Sequence, residues 1–230
     1  MNRLRAGKEA ASSSGVRCRL EAILTRYSEI FKNELGTIRG EEAHLYLKEE
    51  RRPKFLKARS VPYALRPAVE KEIIELQEIG ILRTVCSSEF ATPVVPAIKR
   101  DGSIRLCGDY KTTINPMLDV DQYPIPRVDE LFSTLAGGTR FSKIDLNRAY
   151  QQVLMNEDSS KLLTLNTHMG LYAVNRLLLG VASAPAIFQK IMDGILKGLP
   201  GVICYLDDIL ITERTEEEHL QNLEKVLKRL

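Results

Sequence analysis

The sequence lacks several features that mark common protein classes. It has few cysteines: Cys18, Cys86, Cys107 and Cys204. They lie far apart, so no pair has the close spacing of a zinc site or a redox motif, and we expect reduced, mostly buried thiols in an intracellular protein. The longest apolar stretch, Leu177–Phe188, contains glycine, serine and proline and is too short to span a bilayer. We therefore expect no membrane segment.

The sequence also has little net charge and no visible secretion signal. Basic residues number 33 and acidic residues 30, which gives a net charge of +3. Nucleic-acid binding is neither required nor excluded by that balance, because it depends on where the positive charges cluster. The segment Met1–Arg19 has scattered basic residues but no apolar core of a signal peptide.

The N-terminal third predicts one helix followed by an irregular arm. Residues 1–19 have the composition of a disordered lead, and residues 20–66 predict a helix and then an extended basic arm. Pro67 stands at the favoured first position of a second helix, and Gly80 ends it. The chain has no internal repeats.

A basic β-hairpin follows. Its predicted strands are Val94–Lys99 and Ile104–Cys107, joined by a turn that contains Asp101-Gly102. A two-residue loop would place Arg100 and Arg105 on one face and Lys99 on the other, whereas a longer loop would change these faces. The hairpin could bind phosphate groups or simply be a solvated basic surface.

Two adjacent acids, Asp207 and Asp208, separate the apolar strands Val202–Leu206 and Ile209–Thr212. Asp is a good turn residue, so a turn without function remains open. Buried strands that end in two repelling carboxylates are costly, however, unless a cation neutralises the charges. The local pattern leaves both interpretations open.

Asp145 ends another predicted strand, Phe141–Leu146. A central sheet could bring it close to the two acids of the turn. Carboxylates on neighbouring strand ends suit hard divalent cations such as Mg²⁺, and two such ions can stabilise the attacking and leaving oxygens of a phosphoryl displacement. The alternative is that Asp145 caps a helix beginning at Asn147.

Five motifs occur in a characteristic order and at characteristic intervals. They are ATPVVP (Ala91–Pro96), KRDGSIRLCGDY (Lys99–Tyr110), FSKIDL (Phe141–Leu146), SAPAIFQ (Ser183–Gln189) and YLDDIL (Tyr205–Leu210). In this order they resemble the reverse transcriptase of gypsy-class LTR retrotransposon Pol polyproteins, and the resemblance extends from about Leu20 to Leu230.

The resemblance implies an α+β, right-hand polymerase fold made of fingers (residues 67–136) and palm (residues 137–230), with a ferredoxin-like palm sheet, partly interleaved fingers strands and no thumb. It implies an RNA-directed DNA polymerase that transfers nucleotides to a primer 3′-hydroxyl with two Mg²⁺ ions, or with Mn²⁺. The expected partners are a primed RNA or DNA template, dNTPs and the thumb and RNase H parts of a Pol polyprotein. The expected location is the cytoplasm, a virus-like particle or the nucleus.

The resemblance also implies roles for individual residues. The catalytic metal ligands would be Asp145 and Asp207, with Asp208 taking a lesser share of the coordination. The residues that meet the incoming dNTP would be Lys99, Arg105, Leu146, Tyr150 and Gly180. Among these, the backbone of Leu146 would face the triphosphate and the ring of Tyr150 would exclude a ribose 2′-hydroxyl.

The chain departs from the family pattern in the nucleotide pocket. Where the family has Leu-Pro-Phe-Gly, this sequence has Leu177–Gly180, which lacks the proline and the aromatic ring. The sequence also ends within the apolar stripe of its last predicted helix, which Thr215 and Glu218 begin as a capping box. The alternative function is therefore a catalytically inactive or truncated reverse-transcriptase-like module that binds nucleic acid.

Overall fold

The computed structural model describes residues 14–49, 52–120 and 122–230. The helices are α1 Ser14–Arg26, α2 Arg66–Glu78, α3 Val128–Leu135, α4 Glu157–Leu162, α5 Ala184–Leu196 and α6 Glu216–Arg229. The strands are β1 Glu42–Ala43, β2 Tyr46–Leu47, β3 Leu82–Val85, β4 Thr92–Ile98, β5 Ile104–Gly108, β6 Leu118–Asp119, β7 Arg140–Asp145, β8 Leu154–Met155, β9 Leu165–Thr167, β10 Gly170–Val174, β11 Val202–Tyr205 and β12 Asp208–Glu213. None of the helices described is long and apolar enough to cross a membrane.

The chain forms two compact units, each built from separate segments. The first, here called the carboxylate unit, comprises the described residues up to Glu34 together with Tyr123–Ala149 and Phe188–Leu230. The second, here called the hairpin unit, comprises Leu35–Gln122 and Tyr150–Ile187. The division into fingers over 67–136 and palm over 137–230 stays a prediction.

The carboxylate unit contains an antiparallel sheet in the order β11-β12-β7. One face packs against α6, and its residues Ile144, Ile209 and Ile211 are buried. Successive strand residues point to opposite faces, so Phe141 and Lys143 lie on the other face, where both are exposed. The sheet therefore has one apolar face under a helix and one open face.

The hairpin unit contains a five-stranded sheet in the order β3-β10-β9-β4-β5. Its pairs are antiparallel except for β4 with β9, which run parallel. Helix α2 packs against β3 and β5 and buries Val69 and Ile73. The predicted helix between Pro67 and Gly80 is confirmed, because Pro67 lies in its first turn and Gly80, at φ 73°, follows its end.

Two expectations about the N-terminal region and the thiols are wrong. Residues 14–19 belong to helix α1 and not to a disordered lead, while residues 1–13 lie outside the described part. Arg19 and Arg26 of this helix form ion pairs with Glu217 and Glu224 of α6, contacts that a local pattern does not reveal. Of the four cysteines only Cys204 is buried, since the others lie on surface elements.

The N-cap of helix α6 is Thr215, as predicted. The Thr215 hydroxyl accepts a hydrogen bond from the Glu218 amide at 3.2 Å, and its own proton reaches the Glu218 carboxylate at 2.8 Å. Leu220, Leu223 and Leu227 are buried, whereas Leu230 at the end of the predicted stripe is 38% exposed. The cap and the stripe together seat α6 on the sheet.

A buried histidine on α6 makes the stability of this unit depend on pH. His219 Nε2 lies 2.8 Å from the Ser142 hydroxyl, and its Nδ1 has no hydrogen-bond partner. Burial, followed by the positive charge of Arg140, lowers the pKa of His219 below its ordinary value. The unfolded chain consequently takes up this proton at a higher pH than the folded chain, so acidification below about pH 6.5 favours unfolding.

We therefore predict that the chain loses stability as pH falls from about 7.5 to 5, and that His219→Gln loses less over the same interval. The glutamine amide retains a polar group for Ser142 but does not titrate. Urea unfolding at each pH measures the difference. His44→Gln, at an exposed position, is the matched control and should behave as the wild type. Equal pH dependence in His219→Gln and the wild type would contradict this account.

Candidate active site

The pairing of β12 with β7 places two of the predicted catalytic acids opposite each other. Asp208 is the direct cross-strand partner of Asp145, at the end of both strands. Direct partners share a face and their Cβ atoms lie roughly 5 Å apart. Asp145 does not take the alternative role of a helix cap, because no α-helix begins at Asn147. A short 3-10 helix occupies Ala149–Gln152 instead.

Asp207 occupies the turn that joins β11 to β12. Tyr205 pairs with Asp208, so Leu206 and Asp207 form a two-residue turn. Leu206 has a φ of 55°, a left-handed conformation that is strained for a residue with a bulky side chain. The Leu146 amide donates to the Asp207 carbonyl at 2.9 Å. This bond ties the turn to the residue that follows Asp145 and holds all the predicted acids at one end of the sheet.

A lysine neutralises part of this negative charge. Lys143 lies two residues before Asp145 on the same face, and its Nζ is 2.6 Å from Asp208 Oδ2. The hydrogen bond to Asp208 raises the pKa of Lys143, and the negative charges of Asp208, Asp145 and Asp207 add to this effect. The open end of the sheet is therefore a place that attracts cations.

The donor set fits a hard divalent cation. Carboxylate oxygens are the ligands that Mg²⁺ prefers. The ammonium group of Lys143, which contacts Asp208, shows that these carboxylates stabilise a positive charge at this position. Among the described residues, no group of three or more histidine, cysteine, aspartate or glutamate side chains is placed so that it could hold a metal ion. The assignment of Asp145, Asp207 and Asp208 as metal ligands therefore stays a prediction.

The edge of β11 is held by a buried glutamine. Gln189 of α5 is fully buried, and its Nε2 donates to the Cys204 carbonyl at 2.8 Å and to Asp193 Oδ1 at 2.9 Å. The other carboxylate oxygen of Asp193 accepts from the Tyr123 hydroxyl at 2.8 Å. Gln189 thus satisfies a backbone acceptor on the strand that leads into the turn. Burial, with the acids nearby, raises the pKa of the Cys204 thiol to about 12, so the thiol stays neutral there.

The β4–β5 hairpin has a longer loop than the two-residue turn considered above. Ile98 pairs with Ile104, and the Lys99 amide donates to the Ser103 carbonyl at 2.8 Å, which leaves Arg100, Asp101 and Gly102 as the loop. Gly102 has a φ of 81°, the left-handed conformation that a three-residue loop needs at its end.

This loop changes which basic side chains share a face. Arg105 is the partner of Ala97, and Lys99 lies two residues beyond Ala97 on the same strand. Lys99 and Arg105 therefore share one face of the hairpin, and the grouping of Arg100 with Arg105 that a two-residue loop would give is wrong. Both side chains are exposed, as phosphate contacts require.

The segment that departs from the family pattern is fixed by an asparagine. Asn115 Nδ2 donates to the Gly180 carbonyl at 2.8 Å, and Asn115 Oδ1 accepts from the Ala182 amide at 2.9 Å. Gly180 has a φ of 98°, which favours glycine. Leu179, in place of the aromatic residue, is 55% exposed. The loop thus keeps a defined backbone without the proline.

The predicted site residues divide between the two units. Asp145, Leu146, Asp207 and Asp208 come together at one end of the sheet in the carboxylate unit. Lys99, Arg105, Tyr150 and Gly180 belong to the hairpin unit. Tyr150 is buried, with 6% of its surface exposed. Its role in sugar selection stays a prediction.

Comparison with protein families identifies the chain. Residues 98–230 match the family described as "Reverse transcriptase (RNA-dependent DNA polymerase)". The chain belongs to this family. The matched range includes the ends of β7 and β12, where the acids lie. It also includes Arg105 of the hairpin and the loop at Gly180.

Similar proteins include several polyproteins of mobile elements. The chain is 40% identical over 225 residues to an uncharacterized protein of Caenorhabditis elegans, covering 96% of this chain and 17% of that protein. It is 30% identical over 223 residues to the retrovirus-related Pol polyprotein from transposon opus of Drosophila melanogaster, covering 92% of this chain and 22% of that protein. It is 30% identical to the transposon Tf2-3 polyprotein of Schizosaccharomyces pombe, covering 84% and 14%. The chain thus spans about a fifth of the length of these relatives.

Solved reverse transcriptases have the same fold. A foamy viral protease-reverse transcriptase in complex with double-stranded DNA is 24% identical with a TM-score of 0.85, covering 96% of this chain and 39% of that one. The foamy viral enzyme in complex with an RNA/DNA hybrid also has a TM-score of 0.85 at 24% identity, covering 96% and 30%. The expected α+β polymerase fold with fingers and palm is confirmed, and the chain is similar to the reverse transcriptase region of retrotransposon Pol polyproteins.

The sequence did not indicate a role for three residues that hold predicted site residues within their own units: Lys143 and Gln189 in the carboxylate unit, and Asn115 in the hairpin unit. The first two lie inside the FSKIDL and SAPAIFQ motifs, but their partners, Asp208 and the Cys204 carbonyl, are brought close only by folding. Asn115 shares with Gln189 a polar side chain among apolar neighbours. That pattern could have indicated a side chain that bonds to the backbone.

We predict that Gln189→Met lowers the free energy of unfolding by about 1–3 kcal/mol, because it leaves the buried Cys204 carbonyl without its donor while keeping the side-chain volume. Urea unfolding measures the loss. Gln221→Met in α6, at an exposed position, is the control and should change stability by less than about 0.5 kcal/mol. If Gln189→Met is as stable as the control, the hydrogen bond to the Cys204 carbonyl does not contribute to stability.

Proposed function

We propose that this chain carries the nucleotidyl-transfer site of an RNA-directed DNA polymerase from a gypsy-class LTR retrotransposon. It would add dNTPs to the 3′-hydroxyl of a primer on an RNA or DNA template. The observation that carries the proposal is the register of β12 against β7, which sets Asp208 opposite Asp145 with Asp207 in the adjoining turn. Family membership supports the same reaction class.

The acids would bind divalent cations, and the rest of the chain would position them. Asp145 and Asp207 would be the principal ligands and Asp208 a lesser one. Bound Mg²⁺, or Mn²⁺ in its place, would neutralise charge on the attacking and leaving oxygens during phosphoryl transfer. The strained turn at Leu206 and the bond from the Leu146 amide to the Asp207 carbonyl would keep the carboxylates in place before substrates arrive.

The basic hairpin would bind the triphosphate. Lys99 and Arg105 share a face and are exposed, so both can reach one phosphate chain. Tyr150 would exclude a ribose 2′-hydroxyl, and the backbone around Gly180 would line the nucleotide pocket. Because the chain spans about a fifth of its relatives, the thumb and RNase H parts of a Pol polyprotein would complete the enzyme, in the cytoplasm, a virus-like particle or the nucleus.

We predict Mg²⁺-dependent extension of a primed template, measured with the chain joined to the following polyprotein segments of its source. Asp207→Asn should lower the rate at least about a hundredfold, because it removes a charged metal ligand while keeping the shape of the turn. Asp129→Asn, at an exposed position of the same unit outside the metal set, is the control and should retain activity. Full activity in Asp207→Asn would refute the metal assignment.

The two basic residues of the shared face should matter more than their neighbour in the loop. Arg105→Ala should lower kcat/KM for dNTP at least about tenfold, mainly through KM, because a charge-assisted contact to phosphate is lost. Arg100→Ala removes the same charge from the loop and should change kcat/KM by less than about threefold. Steady-state extension at varied dNTP concentration measures both. A larger effect of Arg100→Ala than of Arg105→Ala would contradict the assignment of Lys99 and Arg105 as the residues that contact the phosphates.

One observation favours a second function, a reverse-transcriptase-like module that binds nucleic acid without synthesis. Leu179, which is 55% exposed, stands where the family has an aromatic residue. The pocket therefore lacks a ring on which a base could stack. The extension assay separates the two functions when binding of the primed template is followed in a salt series. Binding without extension, in the presence of the following segments, supports the second function.

A further inference from the structure

The ion pair of Lys143 and Asp208 occupies the same strand end as the proposed metal ligands. Lys143 is the cross-strand partner of Leu210, which makes it the diagonal neighbour of Asp208 on the open face of the sheet. Its Nζ lies 2.6 Å from Asp208 Oδ2. A divalent cation that uses this oxygen must therefore compete with the ammonium group for the same position.

Three carboxylates lie around the ammonium group of Lys143. Asp208 pairs with it directly, Asp145 lies two residues further along β7 on the same face, and Asp207 lies in the adjoining turn. The three carboxylates would otherwise repel one another across the strand pair. Lys143 supplies one positive charge to them when no metal ion is bound.

The pair is also able to open. Half of the Lys143 side chain is exposed, at 53%, and about a third of Asp208, at 32%. A lysine holds its partner through a compact charge on a flexible stem, and does not form the bidentate fork of arginine. The ammonium group can therefore leave towards water without any rearrangement of β7 or β12.

We propose that Lys143 is a built-in substitute cation, which holds Asp208 while the site is free of metal and competes with the divalent ion for that carboxylate. This inference rests on the proposed metal-binding function of the three acids. Lys143 is a positioning residue, since it acts through Asp208. It lowers the affinity of the acids for a divalent ion and keeps Asp208 oriented until that ion arrives.

Direct Mn²⁺ binding, followed by the electron paramagnetic resonance signal of free Mn²⁺, tests the proposal on the full chain without substrates. Lys143→Met should bind Mn²⁺ roughly five- to tenfold more tightly than the wild type, because one positive charge a few ångströms from the ion is removed. Lys143→Arg keeps the charge and should bind no more tightly than the wild type. Lys225→Met, which removes the same charge from an exposed position of α6, should leave affinity within about twofold of the wild type.

A double variant separates the local effect from a general change in charge. In the background of Asp208→Asn, Lys143→Met should tighten Mn²⁺ binding by clearly less than it does in the wild type, since the competed oxygen no longer carries a charge. Unchanged or weaker binding in Lys143→Met, with normal binding by the wild type, overturns the role of Lys143 alone. Absence of Mn²⁺ binding in the wild type, Lys143→Met and Asp207→Asn alike overturns the metal site itself and the role of Lys143 with it.

Discussion

Two carboxylates placed directly opposite each other on paired strands form the constraint on which the rest of the site depends. Like charges in direct cross-strand register are destabilising, and Asp145 and Asp208 stand in that register at the ends of β7 and β12. Three interactions around the two strands offset this repulsion or hold the strands in place. Lys143 supplies a counter-charge, the Leu146 amide holds the adjoining turn, and Gln189 satisfies the backbone of the outer strand. The apolar face beneath, buried by α6, fixes the register itself.

Local signals in the sequence predicted those elements whose cause is local. The N-cap at Thr215 and the proline at the start of α2 act within one helical turn, and both are present in the structure. Asp207-Asp208 predicted a turn, but its local pattern could not distinguish a metal site from an ordinary turn. The choice required Asp145, which is 62 positions away from Asp207 in the chain and meets Asp208 only through the sheet.

The features that sequence reasoning missed depend on contacts between distant segments. Arg19 and Arg26 of helix α1 form ion pairs with acids of α6, about two hundred residues further along the chain. Asn115 likewise fixes the Gly180 loop from a segment with no local relation to it. That second contact bears on function, because a side chain that holds both sides of the loop provides the order that a proline would otherwise supply. The missing aromatic ring has no such replacement, since Leu179 is exposed.

Different structural features fix the positions of the three acids and of the basic residues in the hairpin. A two-residue turn fixes the register of β11 and β12, and the register of β12 against β7 is fixed by isoleucines that must face α6. The face of Lys99 depends instead on the length of an exposed loop, where a change of one residue moves the side chain to the opposite face. The three-residue loop ending at Gly102 therefore decides which charges can act together, and it is the feature that joins Lys99 to Arg105. The positions of the carboxylates therefore depend on a buried core, whereas the predicted grouping of Lys99 with Arg105 depends on the geometry of one exposed turn.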